Sequence, residues 1–408
     1  MRMNLLALAT LAVFASAASA RDAALHLAPA ARGDQAVAAL RAPAAPLATA
    51  DLDRTPVAMA WKLDPAEKLD AAPAPFVRES REYWSDVSEA QLRAGVKLAT
   101  TSPEALIRLS PHGGNDAALD PAGVLLRYAG QQRTAAEAAR QVADATALRA
   151  AGMDVPAGTV VMKLKRETGA SGIELAAPNA RGRYLVHVYE PQSDFVLRLQ
   201  AERDNLVAGE SQRLVASLDG ASRQRRLDLV EGVLSAPDGH TQALRFTRQA
   251  DGRYVASVTP DAAHAGGPGL WEAHAFASGT QRGQDVLRDA KTAFAVAQPT
   301  ARFDGSLQRE DGAALALRIG VEVAAASRYQ VSGVVYGSAA NGSLQPLAMA
   351  QSAAWLEPGH ASLRLQVDDA SLRASGLVAP FELRDLRLGN QADLSLIERR
   401  ALGARLDR

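Results

Sequence analysis

The stretch Asp251–Val296 restricts the fold more than any other part of the chain. In Arg253–Val258, Tyr254, Ala256 and Val258 alternate with Val255 and Ser257, and in Leu270–Ala277 the residues Trp271, Ala273, Ala275 and Ala277 share one register. Thr292, Phe294 and Val296 repeat the pattern. Side chains leave a strand on opposite faces with period two, so each run offers one face to a core. Asp251-Gly252, Gly266-Gly267-Pro268-Gly269 and Ser278-Gly279 separate the runs as turns. The stretch reads as the last three strands of a β-sandwich.

The same texture extends in both directions. From Phe195 the alternation of Phe195, Leu197, Leu199 and Ala201, then of Leu214, Ala216 and Leu218, brings the region 195–298 to about seven strands, the count of an immunoglobulin-like sandwich. In 299–390, Leu315, Leu317, Ile319, Val321 and Val323 form the cleanest alternation, and Leu363, Leu365 and Val367 form another. A last strand runs from Phe381 towards Leu388, and its register shift between Leu383 and Leu386 suits a bulge. This predicts a second β-sandwich, followed by a charged, frayed tail over 391–408.

Upstream, 56–190 reads as a smaller α+β domain. Strands at Thr159–Lys165 and Arg183–Glu190 surround one helix, opened by the capping box Thr134-Ala-Ala-Glu137 and closed near Ala151 by Gly152. Ala138, Val142, Ala145 and Leu148 give that helix its apolar stripe. Residues 21–55, rich in Ala and Pro, read as a flexible or extended arm, with a short helix at Gly33–Arg41 as the one element it offers. The expected fold class is mainly β with a smaller α+β N-terminal domain and two immunoglobulin-like β-sandwiches in tandem.

Residues 1–20 carry the pattern of an export signal. Arg2 supplies the positive end, Leu5 to Ala15 the apolar region, and Ala18-Ser19-Ala20 the small-x-small cleavage site, so the mature chain is expected to start at Arg21 and to be periplasmic or secreted. The apolar region is about 16 Å long as a helix, against a bilayer core of roughly 30 Å. No membrane span is expected in the mature chain. The sequence has no cysteine, which excludes disulfides, thiolate catalysis, cysteine-ligated zinc and a lipoprotein's acyl anchor. With 45 basic and 45 acidic residues there is no cationic excess to displace counterions, so a nucleic acid is not an expected partner.

Four segments carry a family likeness: YWSDVSEAQLRAGVKL at Tyr83–Leu98, RYLVHVYEPQS at Arg183–Ser193, GLWEAHAFASGTQRG at Gly269–Gly283 and SGLVAPFELRDLRL at Ser375–Leu388. They resemble the exported bacterial family catalogued as domain of unknown function 4785, and the likeness runs from about Leu52 to Leu388. It implies an N-terminal mixed domain followed by immunoglobulin-like domains, and no activity. The last two segments also resemble non-catalytic sandwich modules appended to secreted hydrolases and adhesins.

Catalysis needs groups that converge, and the familiar arrangements are missing. There is no G-x-S-x-G elbow, no H-E-x-x-H and no glycine-rich phosphate loop, and no cofactor is implied. Among the seven histidines, His26, His240, His264 and His360 sit in the arm or beside turn glycines and read as solvated loop residues. In GLWEAHAFA, Glu272 and His274 project from one strand face, where a carboxylate beside an imidazole can form half a metal site or an acid–base pair. The plainer reading is an outer face meeting water. His112, beside a glycine pair and Asp116, marks a weak candidate for a binding loop in the first domain. Asp304, Glu310, Asp311 and the Asp368-Asp369 pair have the chemistry of calcium ligands but no calcium-loop spacing. Trp61, Tyr83, Trp84 and Trp355 would make a sugar or peptide platform if exposed, and core otherwise.

The expectation for function is therefore non-catalytic binding or assembly with a protein or glycan partner. Its rivals are a hydrolase of envelope polymers with its site in the first domain, and a periplasmic chaperone. An enzyme requires a cleft with convergent carboxylates or histidines; a binding protein requires an exposed aromatic or apolar patch.

Overall fold

The structure is a computed structural model and describes residues 25–43, 49–69, 76–113, 119–168, 172–219, 227–265, 267–281, 283–310 and 315–407. The leader 1–20 and the loop residue Asp116 lie outside these. Strands take 56% of the described residues and helices 9%, so the fold is mainly β.

Three pairs of sheets follow one another. In the first domain a five-stranded sheet, in the order Glu82–Ser88, Arg183–Tyr189, Leu106–His112, Val160–Leu164, Ala139–Asp144, shares a core with a four-stranded sheet. That second sheet runs Val96–Leu98, Ile173–Ala176, Leu125–Tyr128, Gln131–Thr134. Ile107, Leu109, Leu126, Met162 and Tyr184 fill the space between them. The second domain has two five-stranded sheets, one containing Tyr254–Val258 and the other the long hairpin Trp271–Gln281/Gln284–Ala297. Trp271 faces Phe294 across that hairpin, and both are 1% exposed, as the alternation requires. The third domain pairs a five-stranded sheet with a three-stranded one, and Leu315, Leu317, Ile319, Val321 and Val323 all lie in its core. The irregularity expected near Leu383 is a register shift between Leu383 and Arg384, beside Asp385 at φ 48°.

Four expectations are corrected. The helix expected from Thr134 to Ala151 is broken. Its capping box forms as read, but the helix covers only Ala135–Ala138; the chain then runs as the strand Ala139–Asp144 against Val160–Leu164, and Asp144 caps a second helix, Ala145–Ala150. Pairing with a neighbouring strand outweighs the helical preference of alanine. The segment read as a flexible or extended arm is, over its described residues, extended and docked rather than free, with no helix at Gly33–Arg41. Leu27 and Val37 are buried in the third domain, and Gln35 exchanges backbone hydrogen bonds with Arg399. The tail is no tail. Ser395–Leu406 is a strand paired with Val378–Asn390; Ile397, Ala404 and Leu406 point inward, and the buried Glu398 accepts the amides of Val37 and Phe303.

The fourth correction concerns where the first domain starts. Val57–Lys62 pairs with Leu344–Leu356 in the third domain, and Val77–Ser80 pairs with Val196–Ala201 in the second. A strand pattern shows which side chains face inward and is silent on which distant strand it joins.

Candidate binding surfaces

The first and second domains meet through a buried ion pair. Arg288 and Glu190 side chains are 0% exposed, with Nη2 2.7 Å from Oε2. Around them Glu190 accepts the amides of Thr101 (2.5 Å) and Ser102 (2.8 Å), while Arg288 donates to the Phe195 carbonyl and to Ser193 and Thr101 hydroxyls. Burial pulls the guanidinium's pKa down and Glu190 opposes that shift. Beside this latch, the edge of the strand Glu82–Ser88 is met by the second domain: Trp84 N donates to Asp289 Oδ2 at 3.0 Å.

Next to the junction opens a cleft of about 890 Å³. One wall is the four-stranded sheet. Its cross-strand partners Lys97, Glu174, Arg127 and Gln132 stand in one row, on the face opposite the buried Leu126 and Leu175. Arg127 bonds Glu174 Oε1 (2.5 Å) and Gln132 Oε1 (2.9 Å). Gly95 suits this position because its φ of +113° strains any side-chain-bearing residue, and an added Cβ would also push the Glu174 carboxylate aside. The other wall is the tip of the second-domain hairpin with Asp228, Ser278, Thr280 and Asp285. Asp228 Oδ2 accepts the Thr280 amide at 2.9 Å. Among the described residues the walls hold no histidine, and Tyr128 is their one aromatic side chain. The groups fit polar recognition; they do not form a nucleophile–base pair.

A second surface has the opposite character. Val57–Lys62 is the outermost strand of the third domain's large sheet, paired among the described residues on one side only. Its alternation puts Ala60 against the core and Val57 (39% exposed), Met59 (46%) and Trp61 (46%) on the outside, with Met349 (38%) directly across from Trp61. An apolar stripe beside an unpaired backbone edge is a feature that proteins ordinarily protect. The pattern of TPVAMAWKL carries the stripe, but only the tertiary partner shows that it faces outward.

The residues singled out from sequence are placed as follows. His112 Nε2 lies 2.9 Å from Asp86 Oδ1 at the end of the strand Leu106–His112, and Asp86 also pairs with Arg183. Those two partners, Arg183 first, hold the Asp86 carboxyl below the usual range. Glu272 and His274 share a face but not a bond. Glu272 pairs with Lys291 at 2.8 Å, while His274 leans towards Asp289 (3.5 Å) and Phe276. The His274 ring is only 19% exposed, so this face is drier than alternation alone suggests. The aromatic residues do not gather: Tyr83 is buried, Trp84 stacks on His187 at 3.9 Å, Trp355 lies under Arg54, and only Trp61 belongs to the exposed stripe. Of the acids considered for calcium, Asp311 lies outside the described residues, while Glu310 is engaged by Arg364 and Arg318 and Asp368 is a helix cap. The described residues that do gather as metal donors are His240, Asp261 and His264.

Fold and surfaces together define a mainly β, multidomain protein of linked two-sheet units. Family profiles for the N-terminal domain of DUF4785, a domain of unknown function, and for its C-terminal domain match residues 48–190 and 300–405. The chain belongs to the DUF4785 family. A crystal structure of a DUF4785 family protein (lpg0956) from Legionella pneumophila shares the fold, with a TM-score of 0.74 and 20% identity over 91% of this chain and 99% of that one. Trypsin-activated alpha-2-macroglobulin from Escherichia coli (TM-score 0.21, 14% identity, 76% of this chain and 22% of that one) is too distant to inform the reading. A marsupial T cell receptor (0.22, 10%, 70% and 98%) is equally remote. A search of the curated proteins finds no match.

Proposed function

We propose that this chain is an exported, non-catalytic binding or assembly protein of the bacterial envelope or extracellular space, and that a protein partner docks on the strand Val57–Lys62. The observation that carries the reading is the apolar stripe of Val57, Met59, Trp61 and Met349 on an open sheet edge. A partner strand laid along that edge would satisfy its free N–H and C=O groups and cover the stripe with alternate side chains. The hydrolase reading has less support: in the cleft Glu174 is neutralised by Arg127 and Asp228 holds a backbone amide. Export rests on the leader pattern of residues 1–20.

The test places a photo-crosslinking residue at Met59 in cells of the native organism, with the same residue at Leu394, which is 88% exposed, as the control. A discrete adduct from Met59 alone, found in the periplasm or medium and lost when Trp61→Asp is added, is the expected result. Equal labelling from both sites, or a chain retained in the cytoplasm, defeats the proposal. Release of soluble fragments from purified envelope polymers by the protein would establish the hydrolase instead. A chaperone would cross-link to many unfolded clients rather than to one partner.

A further inference from the structure

We propose that the second domain carries a site for a divalent transition metal, zinc or a cation of the same borderline character, built from His240, His264 and Asp261. The site is independent of the docking strand and of the polar cleft.

Three pieces of local chemistry bring the donors together. The turn after Leu229–Ser235 passes through Gly239 at φ 90° and presents His240 just before Thr241–Arg245. On a separate loop, Asp261 caps the single turn Ala262–His264, with its Oδ1 accepting the Ala263 amide at 2.9 Å. The two loops are tied: Gln242 accepts the Asp261 amide and donates to the Thr259 carbonyl, while Gln298 donates to the carbonyls of Ala262 and Ala265. The two imidazoles therefore lie face to face, 3.8 Å apart and 1° from parallel. One donor atom from each of the three residues lies within 4.8 Å of the others.

The surrounding bonds suit metal ligation. Asp238 Oδ2 lies 2.7 Å from His264 Nδ1, which places the shared proton there and leaves the lone pair on Nε2. A carboxylate behind a ligating imidazole is the usual second layer of a metal site, fixing tautomer and ring orientation. The His240 ring makes no hydrogen bond among the described residues, and Asp261 keeps Oδ2 available. Two imidazoles and a carboxylate without thiolate favour zinc, nickel or copper over calcium and magnesium, which prefer sets of oxygen ligands. A cation held by both rings must lie close to both ring planes, so the stack has to splay as metal enters. Both rings lie near the surface, where that movement disturbs little packing.

The experiment titrates zinc chloride into tag-free protein by calorimetry, with far-UV circular dichroism confirming the fold of every variant. One Zn²⁺ per chain is expected, undisturbed by equal calcium. His240→Ala and His264→Ala should each abolish binding, and Asp238→Asn should weaken it about 10- to 100-fold while preserving stoichiometry. His360→Ala, at a side chain 77% exposed, should change nothing. Absence of saturable binding below about 1 mM, or unaltered binding in the His240→Ala/His264→Ala double variant, overturns the site.

Discussion

Tyr254 shows how much of the second domain rests on single inward side chains. It is 5% exposed, and its hydroxyl lies 3.0 Å from the Leu227 carbonyl and 3.1 Å from that of Asp228. Tyr254→Ala removes the ring and leaves a cavity, an expected loss of about 3–5 kcal/mol. Tyr254→Phe removes only the hydroxyl, about 1 kcal/mol. Urea titrations separate the two, and a loss under about 1 kcal/mol for the alanine variant would mean the ring is not holding the core. Glu82 offers a titration at the same scale. Its bond to His187, 2.9 Å, is the main reason its carboxyl lies below the ordinary value, against the opposing effect of burial. A depressed folded-state pKa contributes stability above the unfolded value near 4.5 and loses it as pH falls through the lower folded value. Glu82→Gln should therefore flatten the acid limb of a melting-temperature profile below about pH 4.5, and an unchanged limb would remove the assignment.

At the scale of elements, period-two alternation was a sound guide wherever one face meets a core. It marked Leu315–Val323, Gly359–Val367 and the Trp271 and Phe294 strands, because burial on one side imposes that spacing on the residues. It failed where charge disguises the pattern. Ser395–Leu406 contains Glu398, Arg399, Arg400 and Arg405, yet Arg399 reaches Asp385 at 2.7 Å and Glu398 is buried under two amides. The helical stripe read after the Thr134 capping box failed at Ala135–Ala150, where a sound helix cap is followed by only one turn of helix. A chain ending after Asn390 would strip the partner strand from Leu383, Leu386 and Leu388 and take Ile397, Ala404 and Leu406 out of the core. Such a truncation is expected to leave the third domain unfolded, with a thermal melt missing its part of the transition. A melt matching that of the full chain would return the segment to the status of a tail.

For the whole molecule, the order of the chain differs from the order in space. Residues 25–43 and 49–62 dock on the third domain, Val77–Ser80 joins the second, and only from Glu82 does the first domain begin, so the N-terminal segment ties distant parts together. The exposed stripe depends on that path. Its residues were legible as a strand, but its role as an outer edge follows from a partner nearly three hundred residues away. The donors His240 and His264 escaped the sequence reading for the same reason, since each alone is an ordinary loop residue. The geometry between the first and second domains depends on Arg288, whose charge is shielded from water and met by Glu190, Ser193 and Thr101. Removing one partner of a buried pair leaves the other charge uncompensated, so Arg288→Ala is expected to cost about 3–5 kcal/mol. Replacing both, as Arg288→Met with Glu190→Leu, relieves the lone charge but orphans the Thr101 and Ser102 amides that Glu190 accepts, so the double variant should recover only part of the loss. Trp84 and Trp271 stand in the two domains, and their fluorescence in denaturant reports whether the domains unfold together. If Arg288→Ala loses less than about 1 kcal/mol, the junction is held by strand contacts such as Trp84 to Asp289, and the latch is dispensable.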